Sequence, residues 1–239
     1  MDWNIICFDL DNTLFDYEKT FQQTMEHCFQ KLSNRWKNPN QISSEDWFLI
    51  FKKYCDLHWS IYAEKKITKK QYRRLRFLDT MRELQIQADE NVADELQANF
   101  EKVVGHFVAP YHGMHSLLSK LKEQDISLGI ITNGRKRIQE EKVANLPFYY
   151  LFPKDTIVIS ESIGFEKPNH CIFDEAFQRV SVEKSKPLYI GDSWEQDIVG
   201  AKEAGWDAIY FNSRKIAPKT NHNVVSICET ANELRATLL

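Results

Sequence analysis

Five short runs rich in β-branched and aromatic residues recur along the chain without a clean alternation of apolar and polar positions. They are Asn4–Phe8, Ser127–Ile131, Thr156–Ile159, Leu188–Ile190 and Ala208–Phe211. Runs that are apolar on both faces are typical of strands in the interior of a parallel sheet. Amphipathic helical patterns lie between most of them. Strands that alternate with helices predict an α/β fold with a doubly wound parallel sheet.

This alternation has one long interruption, between residues 16 and 109, in which no convincing strand pattern occurs. A structureless loop of that length is rare in a compact domain. The sequence therefore predicts a core of residues 1–15 and 110–239 and an inserted all-helical domain of residues 16–109. The predicted helices of the insertion are Lys19–Trp36, Ser44–Ala63, Thr68–Leu84 and Asp89–Val108.

Tryptophans and basic residues are frequent in the inserted domain. Trp36, Trp47 and Trp59 are expected in its hydrophobic core. The basic residues, among them Lys52-Lys53 and the stretch from Arg73 to Arg76, are expected on solvated helix faces. A surface that attracts a phosphorylated substrate is the alternative interpretation of these charges.

Composition and charge argue against several classes of protein. The formal net charge of −3 over 239 residues gives no reason to expect a nucleic acid polymer or an anionic membrane as partner. No apolar run reaches the length of about 18 residues that spans a membrane, and the N-terminus lacks the pattern of a signal peptide. The five cysteines lack zinc-site spacing and are expected to be reduced thiols. We therefore expect a cytoplasmic protein, monomeric or weakly homodimeric.

Four polar clusters follow the first four predicted strands. Because ligands bind at the carboxyl ends of the strands in open α/β sheets, all four clusters are expected at one edge of the sheet. The clusters are Asp9-Leu10-Asp11-Asn12-Thr13, Thr132-Asn133-Gly134, Gly164–Asn169 and Gly191–Asp197.

Each cluster contributes a group that phosphoryl transfer needs. The paired carboxylates of the first cluster suit a divalent cation together with a nucleophile or an acid/base. Thr132 offers a hydroxyl, and Asn133-Gly134 are expected to begin a helix whose backbone N–H groups can hold an anion. Lys167 supplies a positive charge, and Asp192 supplies a further oxygen ligand for Mg²⁺. Each residue alone has an ordinary structural explanation. The ordered set of four clusters at strand ends is a specific signal of a phosphoryl-transfer site.

The chain resembles the haloacid dehalogenase-like (HAD) hydrolase superfamily, and the helical insertion resembles the small cap domain of that family. The motifs that carry the resemblance are Asp9–Thr13, Ile131–Gly134, Lys167-Pro168 and Gly191-Asp192 with Asp197. They span nearly the whole predicted core. Within the superfamily, the stretches Val158–Gly164, Lys167–Asn169 and Gly191–Ala201 resemble the pyrimidine 5′-nucleotidases.

The resemblance implies a role for each matched residue. Asp9 is implied to be the nucleophile that forms an aspartyl-phosphate. Asp11 is implied to protonate the leaving oxygen and then to deprotonate the hydrolytic water. The residues implied to hold the phosphoryl oxygens are Thr132, Asn133 through its backbone N–H, and Lys167. The implied Mg²⁺ ligands are Asp9, Asp11 through its backbone carbonyl, and Asp192, with Asp197 supporting the metal shell.

These roles imply a Mg²⁺-dependent phosphomonoesterase that acts on nucleoside 5′-monophosphates or similar small phosphorylated metabolites. One alternative is a metal-independent 2-haloacid dehalogenase of the same superfamily. Asp11 argues against it, because that chemistry needs no protonated partner for the leaving group. The other alternative is a non-catalytic protein that retains the fold to bind a partner. The presence of every catalytic residue type argues against this second alternative.

Overall fold

The chain divides into two compact units. In the computed structural model, which describes residues 3–33, 42–180 and 185–239, one unit comprises Met1–Glu18 with Val108–Leu239 and the other comprises Lys19–Phe107. We call the first the core unit and the second the helical unit. The predicted α/β core with an inserted all-helical region is confirmed.

The core unit contains a six-stranded sheet in the order β3-β2-β1-β4-β5-β6, and every neighbouring pair is parallel. All five predicted strands are present. The sixth, a three-residue strand at the edge of the sheet, was not predicted because it is short and its central Ile227 is half exposed. The strands are β1 Ile5–Phe8, β2 Ser127–Thr132, β3 Ile157–Ile159, β4 Pro187–Gly191, β5 Asp207–Phe211 and β6 Ser226–Cys228.

Successive side chains of each strand point to opposite faces of the sheet, and both faces are covered. Phe8 and Ile130 pack in one apolar cluster, and Cys7 and Ile131 pack in the other. This double burial is why the strands lack an alternating pattern in the sequence. The helices of the core unit are α5 Met114–Glu123, α6 Lys136–Ala144, α7 Ser160–Ile163, α8 His170–Val180, α9 Gly200–Glu203 and α10 Ala231–Leu238, with a π-helix at Trp194–Val199 and 3₁₀ turns at Tyr149–Leu151 and Lys154–Thr156.

The helical unit consists of helices that begin at clear capping residues. The side chain of Ser43 accepts the N–H of Asp46, and Thr68 forms a capping box with Gln71. Such caps satisfy the first free N–H groups of a helix. The helices are α1 Tyr17–Ser33, which begins in the core unit, α2 Ser44–Ala63, α3 Lys69–Glu83 and α4 Glu90–Val103, followed by a 3₁₀ turn at Val104–Phe107.

Aromatic rings form the interior of the helical unit. Trp47 is fully buried and stacks on Phe29 and Phe51, with ring centroids 4.5 and 4.7 Å apart. The predicted core position of Trp47 is confirmed. That of Trp59 is wrong, because its side chain is 55% exposed and its ring lies at steep angles to those of Tyr62 and Tyr72. Trp36 lies outside the described residues.

Most of the basic residues of the helical unit lie on solvated faces, as predicted, and pair with nearby acids. Lys53, for example, is exposed and contacts Glu83 at 2.6 Å. Arg76 is the exception, because it is buried and its guanidinium lies over aromatic rings. The rings are those of Phe21, Phe51 and Tyr72, at 5.4, 5.0 and 5.0 Å from the guanidinium carbon to the ring centroid.

Two further sequence expectations concern membranes and thiols. Within the described residues, no helix combines the length and the apolar character needed to cross a bilayer. All five cysteines lie in the described residues and are free thiols, four of them buried. The expectation of reduced thiols is confirmed.

Candidate active site

Strands β1 and β4 are neighbours at the centre of the sheet, where the strand order reverses direction. Crevices at such a reversal are the usual ligand sites of open α/β sheets. Asp9 directly follows β1 and Asp192 directly follows β4. The N–H of Asp9 donates to the carbonyl of Ile190 at 2.8 Å, so the pairing of the two strands extends into the site.

Three buried carboxylates converge at this point. One oxygen from each of Asp9, Asp192 and Asp197 lies within 4.8 Å of the other two. We call these residues the carboxylate cluster. Asp197 follows on the π-helix after β4, and Gly191 lets it approach, because a Cβ at position 191 would collide with the Asp197 carboxylate. The second oxygen of Asp197 accepts the N–H of Ser193 at 2.8 Å.

The Lys167 ammonium lies against the carboxylate cluster. Lys167 is 4% exposed, and its Nζ donates to Asp9 Oδ1 at 2.5 Å and to Asp197 Oδ1 at 2.6 Å. A third contact, to the Tyr189 hydroxyl at 2.8 Å, completes its three donor positions. The Tyr189 hydroxyl in turn donates to the carbonyl of Ile131 at 2.9 Å. Tyr189 was not identified from the sequence, because it was read only as an apolar strand residue.

The Asn133 side chain fixes the loop that carries Lys167. Its Oδ1 accepts the Lys167 N–H at 2.8 Å and its Nδ2 donates to the Lys167 carbonyl at 3.1 Å. The helix expected at Asn133-Gly134 begins two residues later, at Lys136, and the Gly134 N–H is bonded to Ser160 Oγ at 3.0 Å. The expectation that Asn133-Gly134 begin a helix is therefore corrected, since Gly134 has a φ of +146° that helices do not adopt.

Helix α6 supplies two residues that sequence reasoning missed. Lys142 Nζ donates to both carboxylate oxygens of Asp11, each at 2.8 Å. Gln139 Nε2 donates to the Thr132 hydroxyl at 2.6 Å and approaches Asp11 Oδ2 at 3.3 Å. Both residues lie on the buried face of the helix together with Val143. Polar residues that share a helix face with an apolar one were the signal available in the sequence.

Arg214 is a fourth residue that the sequence reasoning missed. Its Nη2 donates to Asp192 Oδ2 at 2.5 Å, and its Nη1 lies 3.9 Å from Glu18. Arg214 follows β5 at the same edge of the sheet as the four polar clusters. Its position three residues after the end of a strand was the signal available in the sequence.

Burial dominates the electrostatics of the site. It raises the pKa of Asp9 well above its ordinary value, the Lys167 ammonium opposes that rise, and the neighbouring carboxylates add to it. Burial, followed by the Asp197 charge, raises the pKa of Asp192 to about 7, against the opposing charge of Arg214. Burial alone would lower the pKa of Lys167, but Asp197 and Asp9 outweigh it and hold that pKa above its ordinary value. Lys167 is therefore a fixed positive charge in the pH range of most enzymes.

The donor set fits a hard divalent cation. The carboxylate cluster carries three negative charges when ionised, and Lys167 offsets one of them. Within the described residues, no donor bonds to Asp9 Oδ2 or Asp192 Oδ1, whereas both oxygens of Asp197 are occupied by donors. Carboxylate oxygens with free lone pairs are the ligands that Mg²⁺ takes in proteins. Asp9 and Asp192 thus suit direct ligation, and Asp197 suits support of the ligands.

Fold and site together define a hydrolase. Its aspartate-rich centre lies where the strand order of a parallel sheet reverses. The chain belongs to the haloacid dehalogenase-like hydrolase family, whose sequence model matches residues 6–211. This match includes every residue of the four polar clusters.

Individual relatives extend this similarity over most of the chain. Pyrimidine 5′-nucleotidase YjjG of Escherichia coli is 28% identical over 214 residues, which cover 89% of this chain and 88% of that protein. The solved structure of the HAD-hydrolase YfnB of Bacillus subtilis, bound to magnesium, is 26% identical with a TM-score of 0.78 and covers 99% of this chain and 98% of that one. A glyceraldehyde 3-phosphate phosphatase of Methanothermobacter thermautotrophicus is 36% identical, but the match covers only 47% of this chain and 49% of that protein.

Proposed function

We propose that the protein is a Mg²⁺-dependent phosphomonoesterase that works through an aspartyl-phosphate on Asp9. The observation that carries this proposal is the convergence of three buried carboxylates and the Lys167 ammonium at one point. Burial of several like charges is costly unless a ligand compensates them. A Mg²⁺ ion bound by Asp9, Asp192 and the Asp11 carbonyl would offset the negative charge of a bound phosphoryl group.

The first half-reaction uses Asp9 and Asp11. An oxygen of Asp9 attacks phosphorus, the new oxygen–phosphorus bond forms, and the bond to the ester oxygen breaks. Asp11 gives its proton to that oxygen, so that the product leaves as an alcohol. The Lys167 ammonium and the Thr132 hydroxyl hold the phosphoryl oxygens, on which negative charge is spread in the transition state.

The second half-reaction regenerates the enzyme. Asp11, now ionised, takes a proton from a water molecule that attacks the phosphorus of the aspartyl-phosphate. The bond between phosphorus and the Asp9 oxygen breaks, and inorganic phosphate leaves. Lys167 again stays protonated, because its two carboxylate contacts hold its pKa above the ordinary value. Both half-reactions therefore use the same phosphoryl pocket, with Asp11 in opposite proton-transfer roles.

The proposed substrate is a nucleoside 5′-monophosphate or a similar small phosphorylated metabolite. Two observations support this class. Pyrimidine 5′-nucleotidase YjjG matches most of the chain, and its match is of nearly full length in both proteins. The helical unit, which we propose to be the cap domain of the family, is a second unit of the chain that can select the substrate.

The test is a panel of nucleoside monophosphates, sugar phosphates and an aryl phosphate, with Mg²⁺ and with a chelator. We expect Mg²⁺-dependent phosphate release by the wild type and none by Asp9→Asn. Acid quenching during turnover of the wild type should trap one phosphoryl group, located by mass spectrometry on the peptide that contains Asp9. The matched control is Asp155→Asn, which changes an exposed aspartate of the core unit and should keep full activity.

Two outcomes would overturn the proposal. Halide release from a 2-haloacid without added metal would indicate dehalogenase chemistry. Near-zero phosphate release by both the wild type and Asp9→Asn across the whole panel would instead indicate a binding protein. Phosphate release by Asp9→Asn at the wild-type rate would contradict the nucleophile assignment alone.

A further inference from the structure

Helix α6 places two buried polar side chains against two residues of the proposed phosphoryl chemistry. Lys142 contacts Asp11, and Gln139 contacts Thr132. The two contacts differ in kind, because the first is an ion pair and the second is a hydrogen bond between neutral groups. Gln139 also approaches Asp11 Oδ2 at 3.3 Å, so Lys142 makes the shorter contacts to Asp11 and Gln139 makes its shorter contact to Thr132.

Lys142 is buried far beyond what a lysine usually tolerates. It is 4% exposed, and a buried ammonium is costly unless an opposite charge accompanies it. Among the described residues, the carboxylate that contacts it is that of Asp11. The rings of Tyr17 and Phe15 also restrict it, with centroids 4.8 and 6.0 Å from Nζ. The ammonium is therefore held between one carboxylate and two aromatic side chains.

This contact fixes the direction of the Asp11 carboxylate. Nζ lies 2.8 Å from both oxygens, so Lys142 holds the end of the carboxylate symmetrically. A carboxylate offers about four acceptor positions. Gln139 Nε2 approaches Oδ2 at 3.3 Å, so among the described residues the outer side of Oδ1 remains for a leaving group or a water molecule. The Asp11 side chain is also more exposed than that of Asp9, 28% against 9%. The Asp11 carboxylate is thus held by Lys142 and remains partly accessible.

We propose that Lys142 is a positioning residue that orients Asp11 for proton transfer to the leaving oxygen, an inference that rests on the proposed phosphomonoesterase function. Lys142 exchanges no proton in this step. The proton moves from Asp11 to the ester oxygen as the bond between that oxygen and phosphorus breaks. General acid catalysis loses much of its effect when the acid is misdirected by a fraction of a hydrogen-bond length. The contribution of Lys142 should therefore depend on how much the leaving group needs that proton.

The test compares two aryl esters of similar shape with different leaving groups. The 2,4-dinitrophenolate of 2,4-dinitrophenyl phosphate departs without a proton, whereas the phenolate of phenyl phosphate is strongly basic. For Lys142→Met we expect kcat/KM for phenyl phosphate to fall about 100-fold and kcat/KM for the dinitrophenyl ester to fall less than about threefold. Lys142→Arg should recover most of the phenyl phosphate activity, because it restores a cation at the same carboxylate. Lys136→Met, an exposed lysine at the start of the same helix, should match the wild type.

A double variant shows whether Lys142 acts through Asp11. In the Asp11→Asn background, adding Lys142→Met should cost less than about threefold in kcat/KM for phenyl phosphate, because residues that act as one unit are not additive. A further 100-fold loss would mean that Lys142 acts independently and would overturn the inference. Equal losses for the two esters in Lys142→Met would also overturn it, since a loosened fold affects both alike.

Further controls keep the result interpretable. Thermal unfolding followed by circular dichroism sets an assay temperature at which every variant is folded. If Lys142→Met does not fold, Lys142→Gln, which keeps a donor without the charge, carries the same comparison. Gln139→Leu should lower kcat/KM for the two esters by more similar factors than Lys142→Met does, because the shorter bond of Gln139 is to Thr132, which serves the phosphoryl group. A wild type that releases phosphate from neither ester nor any compound of the panel would refute the proposed function, whereas a wild type that hydrolyses both esters leaves the variants to decide on Lys142.

Discussion

The two units of the chain differ in where their ion pairs lie. In the core unit, Lys167 is buried and pairs with Asp9 and Asp197, residues 158 and 30 positions away in the sequence. In the helical unit, the ion pairs lie on the surface and several are local, such as Lys52 with Asp56 one helical turn later. Surface pairs of this kind contribute little to stability. Buried pairs are costly to assemble and are rarely explained by stability alone.

Arg76 sharpens this contrast, because it is a buried charge in the helical unit. Its guanidinium lies over three aromatic rings, and its Nε finds no hydrogen-bond partner among the residues that the structure describes. Cation–π contacts and long contacts to Cys55 and Gln97 replace the carboxylates that surround Lys167. A buried cation with aromatic neighbours contributes to packing. A buried cation among carboxylates at a strand end indicates chemistry, and this difference separates the site from the interior of the helical unit.

The largest effect is expected for Lys167→Met compared with Lys53→Met. The first change leaves Asp9 and Asp197 buried without their cation, which should lower the free energy of unfolding by about 3–5 kcal/mol in the metal-free protein. It should also lower kcat by about 10²–10³-fold, because the positive charge that stabilises the phosphoryl group is lost. Lys53 is exposed, so its variant should match the wild type in both respects. Urea unfolding with a chelator and steady-state kinetics with Mg²⁺ measure the two effects.

Equal urea midpoints for Lys167→Met and Lys53→Met would contradict this prediction. That result would mean that Lys167 compensates the carboxylates no better than a surface lysine compensates its partner. Added Mg²⁺ should restore part of the lost stability of Lys167→Met, because a ligand that binds only the folded state stabilises it. Lys53→Met should show the same Mg²⁺-induced stabilisation as the wild type.

The second effect concerns packing inside the helical unit. Trp47→Ala should lower the free energy of unfolding by about 3–5 kcal/mol, because it removes a fully buried ring stacked on two others. Trp59→Ala should lower it by about 1 kcal/mol at most, because the ring is half exposed. Urea unfolding of both variants measures the difference. Equal losses would mean that the aromatic interior of this unit extends to Trp59.

These two tryptophans also show what the sequence could and could not predict. Both occur in the same predicted helix, and composition alone places a large aromatic residue inside. Which of them is buried depends on how α2 is rotated against its neighbours, which a single sequence does not specify. The five strands were predictable because double burial in a parallel sheet leaves continuous apolar runs. The site residues at the strand ends were predictable because sheet topology alone brings those ends together.

The missed residues depend on tertiary placement. Lys142 lies in the stretch from Lys136 to Ala144, in which most residues are polar or charged, although Gln139 and Val143 are buried with it. No local pattern marks it as the residue that meets Asp11. The sequence does not mark Tyr189 as a site residue, because its ring fits an apolar strand. Its hydroxyl accepts a hydrogen bond from Lys167. Arg214 lies three residues after the end of β5, and the sequence around it contains no motif that marks it as a site residue.

The third effect is the pH dependence that Asp192 imparts to the metal-free protein. Its pKa is about 7 in the folded state, raised from an ordinary value of 3.8 by burial and by Asp197. The folded state therefore binds a proton more tightly than the unfolded state, so the free energy of unfolding should fall as pH rises from about 4 to about 7. The slope has an upper limit of about 1.4 kcal/mol per pH unit. Below about pH 4 both states are protonated and this contribution is constant.

Asp192→Asn isolates that contribution, because asparagine does not titrate. The variant should show a shallower decline in stability between pH 4 and pH 7 than the wild type, measured by urea unfolding with a chelator. Saturating Mg²⁺ should also reduce the decline in the wild type, because metal binding favours the ionised carboxylate. A variant with the slope of the wild type would show that Asp192 titrates at its ordinary pKa in the folded protein.

The smallest effect is expected at the surface pair of Lys53 and Glu83. Hydrogen bonds from Lys53 and Tyr54 lower the pKa of Glu83, which would stabilise the fold above the ordinary carboxyl pKa and be lost as pH falls. Both partners are fully solvated, so water and salt screen this contribution. We expect Lys53→Gln, Glu83→Gln and the double variant to unfold at the wild-type urea midpoint at both pH 7 and pH 3. A loss at pH 7 that approached the loss for Lys167→Met would show that contact geometry, and not burial, sets the strength of ion pairs in this protein.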